Sequence, residues 1–230
     1  MFLQQGLMRI LYARMSDVGL DVETLPNRHR QLAMISSITR ENATIDWSSA
    51  SDTVSIEILR WLLPPSWFSL VNLLRCSSTV IDGKVVSLHM ISSMGNAVTF
   101  PLESLVFWTY AQAVNHTLRG DTLSHYPDPD KWSECSVFGD DCIVPTEIAP
   151  KFMEILESVG FIVNKEKSYY GSEQFRESCG GDFLCGYNIR PYHIKAPHST
   201  RTSALEPWLY IITNSLLKKY RTYFGELAYV

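Results

Sequence analysis

Two adjacent carboxylates, Asp140 and Asp141, follow Gly139 between two apolar runs at 137–138 and 143–144. Apolar runs broken by a Gly-Asp pair are typical of two short strands joined by a tight turn. At an effective dielectric constant of about 20, two unit charges roughly 4 Å apart repel by about 4 kcal/mol. A turn leaves the pair uncovered, so solvent or a hard cation such as Mg²⁺ or Mn²⁺ must stabilise it. Taken alone, the pattern favours an ordinary solvated turn.

A third carboxylate, Asp46, ends the short apolar segment 43–45. In an antiparallel sheet the end of this strand and the 139–141 turn can be neighbours, which would bring three carboxylates together. A two-metal site needs such a set, in which one metal activates a hydroxyl and the other stabilises the leaving phosphate. The predicted chemistry is in-line phosphoryl or nucleotidyl transfer.

The elements that would position these residues alternate between strands and helices. Helices are predicted at 2–20, at 99–118 and at 148–159. Another begins at an N-cap at Asp52 and ends at Leu63, and a second helix follows it to about Leu74. A final helix begins at a capping box at Ser203 and ends near Tyr220. Strands are predicted at 43–46, at 85–91 after a turn at Asp82-Gly83, on both sides of the 139–141 turn, at 161–163, and within 168–190. Segment 25–40 is expected to be irregular and 120–134 a polar loop. The pattern is α+β, an antiparallel sheet flanked by helices.

Charge is unevenly distributed along a chain of net charge −4. Residues 46–185 hold 18 acidic and 9 basic side chains, a net −9, whereas 186–230 hold 6 basic and 2 acidic ones, a net +4. A basic surface for a polyanion is therefore not expected around the acidic turn itself. Five cysteines without paired spacing indicate reduced thiols and a cytosolic setting. No transmembrane span is predicted, because the most apolar window, 56–74, is interrupted by Arg60 and two prolines.

Ordered motifs then point to a family. The sets Asp46-(five residues)-Asp52, Ser93-Met94-Gly95-(three residues)-Thr99 and Gly139-Asp140-Asp141 resemble motifs A, B and C of right-handed polymerases acting on RNA. The resemblance is closest to the replicases of single-stranded RNA bacteriophages, the leviviruses. Stretches shared with that family are ATIDWSSASD (43–52), LLPPSWF (62–68), ISSMGNAVTFPLES (91–104), FGDDCIVP (138–145) and FRESCG (175–180).

The resemblance implies a role for each matching residue. Asp46, Asp140 and Asp141 resemble the metal-binding aspartates, which hold two Mg²⁺ ions, with Mn²⁺ as a substitute. Asp52 resembles the aspartate that contacts the ribose 2′-hydroxyl, helped by a nucleotide-binding loop at Ser93, Gly95 and Asn96. Lys167 resembles the lysine that protonates the leaving pyrophosphate. Taken singly, Asp52 also suits a helix N-cap, the loop a plain glycine turn, and Lys167 a solvated surface lysine.

The same resemblance implies a right-hand polymerase palm with fingers and thumb incomplete. The expected division is a residual fingers-side segment at 1–42, a catalytic palm with motifs A to E at 43–190, and the beginning of a thumb at 191–230. Basic fingers would precede residue 1 and much of the thumb would follow residue 230. Two residues depart from the family pattern, namely Trp47 where leucine is more common and Pro101 where glutamate is more usual. Glu103 stands where many other RNA polymerases have asparagine, but it agrees with the phage family.

The expected function is RNA-directed RNA polymerase activity on a phage genome. One alternative is a reverse transcriptase-like palm, although reverse transcriptases usually carry a residue other than glycine at the position of Gly139. The other alternative is a non-catalytic RNA-binding fragment. RNA template and product and nucleoside triphosphates are the implied partners, with host translation elongation factors and a ribosomal protein by resemblance alone. No membrane partner is expected, and the implied location is the cytoplasm of an infected bacterial host.

Overall fold

The computed structural model describes residues 2–120, 135–197, 199 and 201–227, so most of the predicted polar loop at 120–134 lies outside the described residues. The helices within these ranges are α1 (Phe2–Asp17), α2 (Leu25–Thr39), α3 (Ala50–Thr53), α4 (Ile56–Leu62), α5 (Pro65–Leu74), α6 (Thr99–Arg119), α7 (Ala149–Ser158) and α8 (Thr202–Leu227). The strands are β1 (Asn42–Ile45), β2 (Trp47–Ser48), β3 (Ser78–Ile81), β4 (Lys84–Ser87), β5 (Ser136–Phe138), β6 (Asp141–Pro145), β7 (Ile162–Val163), β8 (Phe175–Ser178), β9 (Gly181–Leu184) and β10 (Tyr187–Asn188). The predicted α+β class is confirmed.

The chain divides into two compact units, Met1–Ile189 and Arg190–Val230. The first unit contains every strand named above, and the second contains α8. Helix α8 begins at Thr202, so Ser203 lies inside the helix instead of capping it as predicted. Within the ranges that the structure describes, no helix is both long and apolar enough to cross a bilayer.

Two three-stranded antiparallel sheets carry the central part of the first unit. One has the order β1-β6-β5 and the other the order β10-β9-β8. Strand β2 pairs separately with β7, and β3 with β4 in an exposed hairpin. In the first sheet, Ile45 is opposite Cys142 and Phe138 is opposite Asp141. This register confirms the predicted strands on both sides of the 139–141 turn.

The core of the first unit lies beneath the β1-β6-β5 sheet and against α6 and α7. Trp47 is buried there, stacked on Phe107 with ring centroids 5.3 Å apart and in edge contact with Phe152 and Phe161. Large aromatic side chains contribute much buried apolar area. Trp47, which stands where leucine is more common, is therefore central to the packing of this core.

The prediction that segment 25–40 is irregular is wrong, because Leu25–Thr39 forms helix α2. Its buried face combines Leu25 and Ala33 with polar residues, His29 and two serines at 36–37. Hydropathy alone does not reveal a helical face made of polar side chains. Pro26 lies in the first turn, where proline is tolerated, and Arg40 ends the helix in the left-handed region.

The predicted N-cap at Asp52 is also wrong. Asp52 lies inside the short helix α3, and the side chain of Ser55 caps α4 by accepting from the Ile58 N–H at 3.2 Å. A helix through residue 54 is blocked because Ile91 N–H donates to the Val54 carbonyl at 2.9 Å. This pairing bends the chain between α3 and α4. Strand β4 is correspondingly shorter than predicted, ending at Ser87.

Candidate active site

The turn between β5 and β6 is held tightly by helix α6. Gly139 has φ +64°, a region that L side chains rarely adopt, and its N–H donates to Ser104 Oγ at 2.9 Å. A Cβ at residue 139 would lie 2.8 Å from Cε2 of Phe100. The glycine is therefore required both by backbone conformation and by the close approach of the aromatic ring.

The register places the three predicted carboxylates at adjoining strand ends. Because Ile45 is opposite Cys142, Asp46 and Asp141 follow as neighbours across β1 and β6, with Asp140 in the turn. Asp140 is exposed, but Asp46 and Asp141 are half-buried, so the expectation that nothing covers the pair is wrong for Asp141. Burial, with the nearby Asp140 and Asp46 charges, raises the pKa of Asp141 to about 6.

Neutral donors orient two of these carboxylates. Asn164 Nδ2 donates to Asp46 Oδ2 at 2.7 Å, and the Asp46 backbone N–H donates to Ser168 Oγ at 3.1 Å. The backbone N–H of Cys179 donates to Asp141 Oδ2 at 3.0 Å. Burial raises the pKa of Asp46, while the Asn164 hydrogen bond opposes that shift. The Asn164 amide and the Cys179 N–H each stabilise a charged carboxylate without supplying a compensating positive charge.

The carboxylate oxygens of these three aspartates are the kind of ligand that hard divalent cations prefer. No lysine or arginine among the described residues forms an ion pair with Asp46, Asp140 or Asp141. The side chains described do not yet converge, since no three His, Cys, Asp or Glu residues within these ranges form a group that could hold a metal ion as they stand. Uncompensated, partly buried oxygen ligands favour Mg²⁺ or Mn²⁺ over softer metals.

The loop at 92–96 is connected to the segment that carries Asp52. The Val54–Ile91 hydrogen bond and the Ser55–Met90 bridge tie the two stretches together, two residues from Asp52 on one side and from Ser93 on the other. Thr99 Oγ1 donates to the Ser93 carbonyl at 2.8 Å, and Asn96 N–H donates to the same carbonyl at 3.2 Å. Ser93 and Gly95 are exposed on this loop, and so is the side chain of Asp52.

Two further ionisable residues border the carboxylates. Lys167 is exposed, and its charge weakly opposes the rise in the pKa of Asp46 that burial causes. Glu103 on α6 is buried, and burial followed by the charges of Asp140 and Asp52 raises its pKa to about 8. A carboxyl group with that pKa is largely protonated at neutral pH, so Glu103 adds little negative charge to the cluster.

Sequence reasoning missed several residues that position the site. They are His29, Ser104, Asn164, Ser168 and Cys179. Each hydrogen-bonds to a carboxylate, to the backbone of Asp46 or of the 139–141 turn, or, for His29, to the strands beside them. The signals were weak: Asn164 and Ser168 flank Lys167, and Cys179 lies in the FRESCG stretch. His29 had no signal, because its segment was not predicted to be helical.

Comparison with known proteins gives consistent matches along most of the chain. Over 200 residues it is 36% identical to the RNA-directed RNA polymerase beta chain of Enterobacteria phage GA, covering 87% of this chain and 35% of the relative. The corresponding protein of Escherichia phage MS2 is 36% identical over 86% of this chain and 34% of its own. The RNA-directed RNA polymerase subunit beta of Escherichia virus Qbeta is 38% identical over 85% of this chain and 31% of its own.

The chain thus spans about a third of the length of these relatives. Residues 1–221 match the family described as RNA replicase, beta-chain. This match includes every carboxylate discussed above, both strands of the 139–141 turn and helix α6. From its sequence and the extent of the match, the chain belongs to the RNA replicase beta-chain family.

Proposed function

We propose that this chain carries the catalytic palm of an RNA-directed RNA polymerase that copies a phage RNA genome. The observation that supports the proposal is the register of the β1-β6-β5 sheet, in which Ile45 pairs with Cys142. Asp46 follows Ile45 and Asp141 precedes Cys142 at adjoining strand ends, and Asp140 lies in the turn. Membership of the replicase family supports it. Nucleotidyl transfer depends on positioning and charge stabilisation, for which adjoining carboxylates on a rigid sheet are suited.

Asp46, Asp140 and Asp141 would hold two Mg²⁺ ions, with Mn²⁺ as a substitute. Such ions, when bound, activate an attacking hydroxyl and stabilise the leaving phosphate. The chain itself keeps two ligands oriented, through Asn164 on Asp46 and the Cys179 N–H on Asp141. A cation between the carboxylates would offset their mutual repulsion.

The nucleotide would lie between Asp52 and the loop at 92–96. Asp52, Ser93, Gly95 and Asn96 are proposed to contact the incoming sugar, because two backbone pairings keep their segments adjacent. A ribose 2′-hydroxyl can donate to the exposed Asp52 carboxylate. Lys167 is proposed as the proton donor to pyrophosphate, supported by its exposure and its electrostatic effect on Asp46.

The proposed partners are an RNA template, its product and nucleoside triphosphates, in the cytoplasm of an infected bacterial cell. Host elongation factors and a ribosomal protein are proposed from family resemblance alone. The proposed division remains a fingers-side segment at 1–42, the palm at 43–190 and the beginning of a thumb at 191–230. A net charge of −9 over 46–185 means that basic surfaces elsewhere must hold the template.

The test is Asp140→Asn in the full-length enzyme, with Asp17→Asn as the control. Asp17 is also exposed, but it lies on α1 in an ion pair with Arg14. We expect template-dependent nucleotide incorporation to disappear in Asp140→Asn and to persist in the control. Near-normal incorporation by Asp140→Asn, with both proteins equally folded, would disprove the assignment.

A further inference from the structure

His29 is fully buried between the two three-stranded sheets. Its Nδ1 lies 2.9 Å from Ser178 Oγ on β8, and its Nε2 lies 2.9 Å from Ser136 Oγ on β5. Both serines are also buried, at 1% and 2% exposure. In the neutral ring one nitrogen donates while the other accepts, and a hydroxyl can complement either role. Every polar atom of this trio therefore has a partner away from water.

The two serines lie next to the parts of the hairpins that meet at the candidate site. Ser136 begins β5, which leads through Phe138 into the 139–141 turn, and the His29 ring contacts Phe138 edge to face. Ser178 ends β8 and immediately precedes Cys179. His29 therefore connects two strands. Strand β5 leads into Asp140 and Asp141, and strand β8 leads into Cys179, whose N–H donates to Asp141.

The β8–β9 turn has a conformation that needs support. Ser178 pairs with Gly181, so Cys179 and Gly180 are its two central residues, with φ +47° and +71°. Positive φ at both positions is a type I′ turn, which favours Asn-Gly or Gly-Gly. Cys179 is a non-glycine residue in the left-handed region, which persists where surrounding contacts determine it. In this conformation its N–H points at Asp141 Oδ2.

We propose that His29 is a positioning residue: through Ser136 and Ser178 it fixes the two hairpins against each other, so that the Cys179 N–H orients the Asp141 carboxylate for its cation. This deepens the proposed polymerase function and rests on it for catalysis alone. The structural part stands on two hydrogen bonds of 2.9 Å among buried groups and a third, partly buried one of 3.0 Å.

The test compares His29→Gln and Ser178→Ala with the matched control Ser37→Ala in the full-length enzyme. Ser37 lies on the same helix, is equally buried, and accepts from the Gly186 N–H at 2.8 Å in the neighbouring β9–β10 turn. Ser178→Ala removes a single hydroxyl and remains informative if His29→Gln fails to fold. The readouts are hydrogen exchange of peptides covering 175–184, Mn²⁺ affinity, and the Mg²⁺ concentration for half-maximal incorporation.

We expect amide exchange in 175–184 to rise about tenfold in both test variants, because the β8–β9 turn loses its support. Mn²⁺ binding should weaken about tenfold, because the displaced Cys179 N–H no longer orients Asp141, and loss of a hydrogen-bond partner of a metal ligand typically costs tenfold or more. The Mg²⁺ requirement should rise in parallel. Ser37→Ala should lower thermal stability without changing these three quantities. If the test variants match the control in exchange and Mn²⁺ affinity, the positioning role is disproved. A wild-type enzyme that binds Mn²⁺ but incorporates no nucleotide would instead disprove the polymerase proposal, leaving the exchange and Mn²⁺ results to decide the role of His29.

Discussion

Asp140 and Asp141 are adjacent in sequence but differ in environment. Asp140 faces solvent, whereas Asp141 is partly covered and accepts a hydrogen bond from the β8–β9 turn. Removing a charged group from water favours its neutral form, so Asp141 bears the larger electrostatic cost. A cation would therefore stabilise Asp141 more than Asp140. Two identical residues would thus contribute differently to a cation site.

Asp52 is expected to discriminate between sugars. Replacing Asp52 by Ala should lower the preference for ribonucleotides over deoxyribonucleotides by about tenfold or more, because a site that hydrogen-bonds a hydroxyl rejects substrates lacking it. Incorporation of both nucleotide types on matched templates gives the ratio. Glu57→Ala is the control, an exposed carboxylate on α4 paired with Arg60. An unchanged ratio in Asp52→Ala would leave the residue without a role in sugar selection.

His29 should make stability depend on pH. Burial, followed by the charge of Arg28, lowers the pKa of His29 from 6.5 to about 3. Between those values the unfolded chain binds a proton that the folded chain does not. The contribution of neutral His29 to the free energy of unfolding is fully present above pH 6.5. It falls by about 1.4 kcal/mol per pH unit as the pH drops towards 3.

Urea unfolding at several pH values between 7 and 4 measures this contribution. His29→Gln should lower the slope of unfolding free energy against pH by about 1.4 kcal/mol per pH unit relative to wild type, whatever its effect on stability at pH 7. Asp141 and Glu103, whose pKa values are raised by burial, contribute a slope of opposite sign that both proteins share. Ser37→Ala, which changes the same helix without removing an ionisable group, should keep the wild-type slope. Equal slopes in wild type and His29→Gln would contradict the buried neutral state.

At the scale of elements, the 139–141 turn depends on helix α6. Phe100, Glu103 and Ser104 lie within about one helical turn, and each faces or electrostatically affects residues of the turn. Helix α6 is 21 residues long and largely buried, which makes it a rigid support. The turn is therefore positioned by side chains some 35 residues earlier in the chain as well as by its own two strands.

Gly139→Ala should separate conformational strain from steric conflict. A left-handed backbone costs about 1–2 kcal/mol for a residue with a Cβ, and the added Cβ would also meet the Phe100 ring. Gly83→Ala is the matched control, since Gly83 has φ +76° in the β3–β4 hairpin with nothing within 4 Å of the added atom. Urea denaturation should show a larger loss for Gly139→Ala than for Gly83→Ala. Equal losses would mean that the contact with Phe100 is unimportant.

At the scale of the whole molecule, an open apolar groove of about 410 Å³ lies between α1 and α5. Phe2, Leu3, Leu70 and Leu73 line it, and Phe2 and Leu73 are 85% and 78% exposed. A contiguous apolar surface of this kind promotes association. We expect the 230-residue chain to self-associate through this groove.

Leu73→Ser should raise the monomer fraction of the chain, measured by sedimentation at several concentrations. Ile162→Ser is the control, because Ile162 is an exposed apolar residue on β7 outside the groove. The two variants lose similar apolar area from the surface but only one changes the groove. An equal shift in both, or none in Leu73→Ser, would show that the groove does not drive association.

The sequence by itself determined the α+β class, the long helix predicted at 99–118, the strands around 139–141 and the family. These features depend on local patterns, namely apolar periodicity, turn glycines and ordered motifs. The sequence also singled out Asp46, Asp140 and Asp141. Their adjacency followed only as an expectation, because a strand end specifies no partner until the sheet register is known.

Tertiary structure decided the remainder. Helix α2 buries His29 and two serines, which no hydropathy pattern marks as a core face, and Val54 is drawn out of a helix by its pairing with Ile91. Trp47 became a packing centre because Phe107, Phe152 and Phe161 come from three distant segments. The unequal burial of Asp140 and Asp141 likewise depends on a turn nearly 40 residues away. Buried polar groups find partners by spatial position, and spatial position is set by the packing of the whole unit.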